Sequence, residues 1–171
     1  METLVALGLL LMSTLLLGGF FISYSRQYKR YEARQDLILL AEKSMLRIQA
    51  LLGDTRSSLV TLDATTNGLY FPNAEGAQGS LRFDSAGALS WQSWVSFGWD
   101  TTTRVLWEGS QALTSTSVAP LASGWKKRTL ARWVSLFEIS GPVNKARRVR
   151  ILVQDDQSYQ AEFISTVVAQ N

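Results

Sequence analysis

The chain has 171 residues, a net charge of +3, and neither histidine nor cysteine. Those absences remove thiol nucleophiles, disulfides, histidine-based triads and most metal sites, and Gly76, Gly79 and Gly87 lack the spacing of a phosphate-binding loop. The expectation is a protein that is not an enzyme and needs neither cofactor nor metal.

Glu2 opens the chain, and no further charge follows until Arg26. The uncharged run Thr3–Ser23 would span about 31 Å as a helix, enough to cross the hydrocarbon core of a bilayer. Its lining residues include Leu4, Val5, Leu7, Leu10, Leu11, Leu15, Leu16, Phe20 and Phe21. A cleavable secretory signal would want a basic start, a shorter apolar core and a small-x-small site. Here the start is acidic, the core is long, and only Ser23-Tyr24-Ser25 hints at a site. A retained membrane helix is the better reading.

No proline interrupts Tyr24 to Leu52, so the helix is expected to continue. Apolar side chains recur at Tyr24, Tyr28, Tyr31, Leu37, Leu40, Ala41, Met45, Ile48, Leu51 and Leu52, mostly at steps of three or four. Arg34, Asp36, Glu42, Lys43 and Arg47 lie opposite. Gly53 suits the residue just past a helix end. One helix of about 75 Å is predicted, apolar all round in its first half and striped in its second.

Beyond it, short β-branched and aromatic runs alternate with turn residues. Strands are predicted at Ser58–Asp63, Gly68–Phe71, Ser80–Phe83, Ala88–Ser96, Arg104–Glu108, Leu130–Ile139, Arg147–Val153 and Tyr159–Val168. Asp84-Ser85-Ala86-Gly87, Asp155-Asp156-Gln157-Ser158 and Asp100-Thr101-Thr102-Thr103 read as solvated turns, and Leu113–Ser123 as a long loop. The predicted fold is α+β: a long N-terminal helix packed on an antiparallel sheet. Residues 1–25 form its transmembrane half, 26–53 its amphipathic continuation and 54–171 the globular domain.

The start of the chain resembles the type IV pilins and the pseudopilins of type II secretion. Their mature chains begin with a phenylalanine, a few apolar residues, a glutamate and a Leu-Val-Ala-Leu-type run, matched here by Glu2 and Thr3-Leu4-Val5-Ala6-Leu7. On that alignment Met1 takes the fourth mature position, and the basic leader, its glycine and the first mature residues are expected upstream. Trp94 to Trp99 leading to Arg104–Glu108 resembles a strand-turn-strand of the larger minor pilins, as does Leu121–Trp125 running on to Leu136–Ile139. The ending Phe163–Asn171 is similar to the closing strand of J-type pseudopilins and W-type minor pilins. Together these imply a pilin-like, minor, tip-associated or assembly-priming subunit.

The resemblance implies that Glu2 meets the free amine of a neighbouring subunit during assembly. The residue reading alone gives it only the role of complementing a helix N-terminus, about 0.3–1 kcal/mol. Implied partners are other pilin or pseudopilin subunits through the helix, an inner-membrane assembly platform and membrane lipid. Arg26, Lys29, Arg30 and Arg34 past the span would by themselves keep the globular domain in the cytoplasm. A basic leader would reverse that balance. The expected location is therefore the inner membrane, single-pass with the domain outside, and after assembly a periplasmic or cell-surface filament.

A second reading makes the chain a membrane-anchored binding protein that contacts DNA. Lys126, Lys127, Arg128, Arg132, Lys145, Arg147, Arg148 and Arg150 fall in a stretch where Glu138 is the only acid, with Trp125 and Trp133 among them. Cations beside aromatic rings suit phosphate contact and base stacking. The plainer account makes the arginines the solvent face of a strand and the tryptophans core. Trp91 and Trp99 share one parity and Trp94 the other, so an unbroken strand would turn at least one indole away from the core, as a subunit contact.

Overall fold

The computed structural model describes residues 2–55, 59–63, 68–74, 82–113, 120, 124–141 and 146–168. The chain divides into two compact units, Met1–Asp36 and Leu37–Asn171, and helix α1 (Glu2–Gly53) contributes residues to both.

Within the first unit the helix is apolar on every side. An 18-residue window has a mean hydropathy of 2.3 with none of it buried, which makes α1 long and apolar enough to cross a membrane. Ser13 Oγ and Thr14 Oγ1 donate back to the Leu10 carbonyl at 3.0 and 2.7 Å.

The predicted stripe begins later than expected. Tyr24, Tyr28 and Tyr31 are exposed, with Tyr24 and Tyr28 stacked on each other at 6.5 Å, and Leu40 is also exposed. Burial starts at Leu37 and continues through Ala41, Ser44, Met45, Ile48, Leu51 and Leu52. The reason lies in the spacing. Three and four residues before Leu37 stand Arg34 and Ala33, so the row loses its large apolar side chains there, before it meets Tyr31. Gly53 also departs from expectation: it is the last helical residue and does not take the left-handed conformation. The helix instead tightens, with Asp54 N donating to Ala50 O at 3.2 Å and Thr55 N to Leu52 O at 3.3 Å.

The second unit holds two antiparallel sheets where one was expected. The first contains β1 (Thr61–Asp63), β2 (Gly68–Asn73), β3 (Ser93–Asp100), β4 (Val105–Ala112) and β5 (Lys126–Ala131), in that order. The second contains β6 (Val134–Ser140), β7 (Arg147–Gln154) and β8 (Gln160–Val167), also in chain order. The division falls inside the single strand predicted over Leu130–Ile139. Trp133 has φ 63°, a left-handed bend that ends β5 and starts β6 in another direction. Two backbone bonds hold the bend, from Gln154 N to Trp133 O at 2.8 Å and from Val134 N to Arg104 O at 2.9 Å.

The core joins the C-terminal part of α1 to both sheets. Leu37, Met45, Ile48, Leu51 and Leu52 cluster with Leu69, Phe71, Val95, Phe97 and Leu106 of the larger sheet and with Phe137, Val149, Ile151 and Val153 of the smaller. In β7 the alternation is as predicted: Val149, Ile151 and Val153 are buried while Arg148 is exposed and Arg150 half-exposed. Half of the run Ser80–Phe83 falls outside the described residues, and the predicted strand over Ala88–Ser96 begins only at Ser93. Before it, among the described residues, an isolated bridge joins Phe83 to Leu89. Leu113–Ser123 lies mostly outside the described residues.

The turns behave as short side-chain-capped loops. Asp84 Oδ1 accepts from Ala86 N and Ala88 N at 2.8 and 2.9 Å, and Asp155 Oδ1 from Gln157 N and Tyr159 N at 2.8 and 2.7 Å.

Candidate functional site

Two regions carry the residues that sequence singles out. The first is the apolar half of α1. Glu2 sits in the first helical turn, where its carboxylate faces the positive helix end. Leu4, Val5, Leu7, Leu10, Leu11, Leu15, Leu16, Phe20 and Phe21 are all exposed, between 56 % and 76 %, so no side of this helix is satisfied within the described chain.

The second is the basic stretch, which the fold takes apart. Lys126, Lys127 and Arg128 open β5, an edge strand, and all three are exposed. Across the ladder Arg128 pairs with Glu108 of β4, and its Nη2 donates to Glu108 Oε2 at 2.7 Å. Arg47 of α1 approaches the other oxygen at 3.4 Å. Glu108 is only 6 % exposed, a nearly buried carboxylate held between two guanidiniums. Together with Ser110, Lys126 and Lys127 these groups line a cleft of about 350 Å³.

The aromatic neighbours serve the protein's own packing. On the face of the larger sheet opposite the helix, the Trp107 ring lies across Gly98 and Gly109, where any side chain would overlap it or crowd it. Trp125 is half-buried against Gly109, Trp94 meets Tyr70 edge-on at 5.8 Å, and Lys127 Nζ sits 4.2 Å above the Trp107 ring. Trp99 faces the core, donating from Nε1 to Val134 O at 3.0 Å. Trp94, Trp107 and Trp125 thus lie on one face of the sheet and Trp99 on the other.

Arg132 stands at the far end of β5 from Lys126. It lines a different cleft of about 530 Å³, with Thr102, Thr103, Arg104, Trp133 and Asp156 among its walls. Arg147 is buried, donating from Nη2 to Val60 O at 3.3 Å, and burial pushes its pKa down. Arg150 pairs with Glu162 and approaches Glu138 at 3.9 Å. Lys145 lies outside the described residues. Of the eight cations, the fold brings together Lys126, Lys127 and Arg128.

Sequence reasoning overlooked Glu108 and Glu162 as partners of these arginines. They lie 20 and 12 residues from Arg128 and Arg150, and only the strand pairing makes them neighbours. The alternating pattern on β7 was a usable signal for the second pair; the first needed the β4–β5 register. Comparison with protein-family models, curated proteins and solved structures finds no match for this chain.

Proposed function

We propose that this chain is a membrane-held filament subunit of the pilin and pseudopilin kind, in the role of a minor, tip-associated or assembly-priming subunit. One observation carries the reading: a single 52-residue helix is apolar and exposed on all sides up to the tyrosines, and gives one stripe to a folded core from Leu37 onward. A helix of that kind needs two environments. Its apolar half suits lipid first and a bundle of like helices afterwards.

Magnitudes agree with insertion. Twelve Leu, Ile, Val and Phe residues lie between Thr3 and Ser23. At about −0.3 to −0.6 kcal/mol each they outweigh the roughly 2.5–3.5 kcal/mol charged to a carboxylate in lipid. Tyr24, Tyr28 and Tyr31 suit an interfacial aromatic belt, beside Arg26, Lys29 and Arg30 reaching for headgroups. In this reading the chain is held in the inner membrane, and its sheet domain lies outside only if a basic leader outweighs Arg26, Lys29 and Arg30.

Glu2 is the assembly group in this reading. A carboxylate in lipid strongly favours a cationic partner, and the amine of a neighbouring subunit supplies one only when the two helices dock in register. Glu2→Ala is expected to abolish incorporation into filaments while leaving the sheet domain folded and membrane-held. Normal incorporation of that variant would sink the proposal. DNA contact draws less support from the geometry, because Arg128 is engaged by Glu108, Lys127 by Trp107, and Arg132 faces another cleft.

A further inference from the structure

Among the described residues, four strands end the two sheets, and three of them carry a device against pairing with another chain. β1 is only three residues long. β5 presents Lys126, Lys127 and Arg128 along its length. β6 is tied at its start to the larger sheet through Val134 N to Arg104 O and Trp99 Nε1 to Val134 O. These are the usual ways of blunting a sheet edge.

β8 has none of them. It runs eight residues, Gln-Ala-Glu-Phe-Ile-Ser-Thr-Val, without lysine, arginine or proline. Its pairing with β7 continues from Gln154–Gln160 to Arg147–Val167 with no bulge. Its lone charge, Glu162, is matched by Arg150 on the adjacent strand. Ile164 is 48 % exposed at the middle of the strand.

The backbone phase follows from two bonds. Gln154 N points to Trp133 O on the β6 side, and Asp155 N points to Tyr159 O on the β8 side. Because narrow and wide pairs alternate in an antiparallel ladder, Gln160, Glu162, Ile164 and Thr166 direct their N–H and C=O groups away from β7. The outward backbone groups and the exposed side chains therefore belong to the same residues.

We infer that β8 pairs antiparallel with β8 of a second copy of this chain, with Ile164 at the two-fold axis. That register places Ile164 opposite Ile164, Glu162 opposite Thr166 and Gln160 opposite Val168. Outward-facing residues then meet outward-facing residues, the two isoleucines cover each other, and no like charges are opposed. The two three-stranded sheets become one of six. Such an isologous contact closes on itself, giving a dimer and not a filament, and it is independent of the helix-mediated assembly proposed above.

The chain's lack of cysteine makes the test direct. Full-length protein in detergent micelles carries Ile164→Cys as its single thiol, and Thr102→Cys, on an exposed turn, serves as control. An antiparallel hydrogen-bonded pair holds its Cα atoms about 5.5 Å apart, within disulfide reach. Mild oxidation should link Ile164→Cys into a dimer at least about tenfold faster than the control. Adding Thr166→Pro, which removes an outward N–H and leaves the β7 ladder intact, should weaken dimerisation about tenfold with an unchanged circular dichroism spectrum. Ile164→Lys, without cysteine, should sediment as one chain where the parent sediments as two. A monomeric parent, equal cross-linking of the two cysteine variants, or cross-linking indifferent to Thr166→Pro would each overturn the pairing.

Discussion

Arg104 and Trp133 both adopt left-handed backbone conformations, at φ 54° and 63°, yet glycine at the two positions should have opposite effects. A left-handed L-residue costs about 1–2 kcal/mol, which glycine avoids. Arg104 is exposed and gives up little packing, so Arg104→Gly should raise stability by about 0.5–1 kcal/mol, read as a higher thermal midpoint. Trp133 is 42 % exposed, so more than half of its large surface is covered. Losing that burial costs about 2–3 kcal/mol, more than the strain released, and Trp133→Gly should be less stable than the parent. Glu108 presents the reverse problem of charge. Glu108→Gln leaves Arg47 and Arg128 without their shared carboxylate. Because those guanidiniums are partly solvated, the expected loss is about 1–2 kcal/mol, below that of a fully buried pair.

At the scale of elements, the turns report on pH. The Thr103 hydroxyl, and then the Thr103 and Thr102 N–H groups, hold the Asp100 carboxyl below its usual pKa. A depressed acid adds stability that is fully present above the unfolded pKa of about 3.9 and is lost as pH falls through the folded value. Asp100→Ala should therefore be less stable than the parent at neutral pH, with the gap closing in strong acid. Parallel acid melts would measure it. The same Asx logic made Asp84 and Asp155 readable as turns, since their chemistry is local. Helix α1 was readable for the same reason, its apolar run and stripe being patterns along the chain. The β5–β6 break was hidden because Arg132-Trp133 carries no turn signature, and its bend is held by Arg104 and Gln154 from elsewhere. β5 itself begins Lys-Lys-Arg, without apolar alternation, and is recognisable as a strand only beside β4. The Glu108 cluster was illegible on the same ground: it exists only once β4, β5 and α1 are assembled.

For the whole molecule, the decisive question is where along α1 the folded unit begins. Every helical residue of the core cluster lies at Leu37 or later. Removing residues 2–36 should then delete the exposed apolar run and leave the cooperative unfolding of the remainder nearly unchanged. A longer deletion, to Gln49, would also take Leu37, Ala41, Met45 and Ile48, all nearly or fully buried. At about 1.5–3 kcal/mol for each of the three larger side chains, the loss is about 5–9 kcal/mol. That rivals the 5–15 kcal/mol by which a typical domain is stable, so this second product should not fold. Urea unfolding of both truncations against the parent separates the cases. A sharp transition for the shorter deletion and none for the longer would place the start of the folded unit at Leu37, while loss of cooperativity in the shorter one would show that the preceding helix is part of what holds the sheets together.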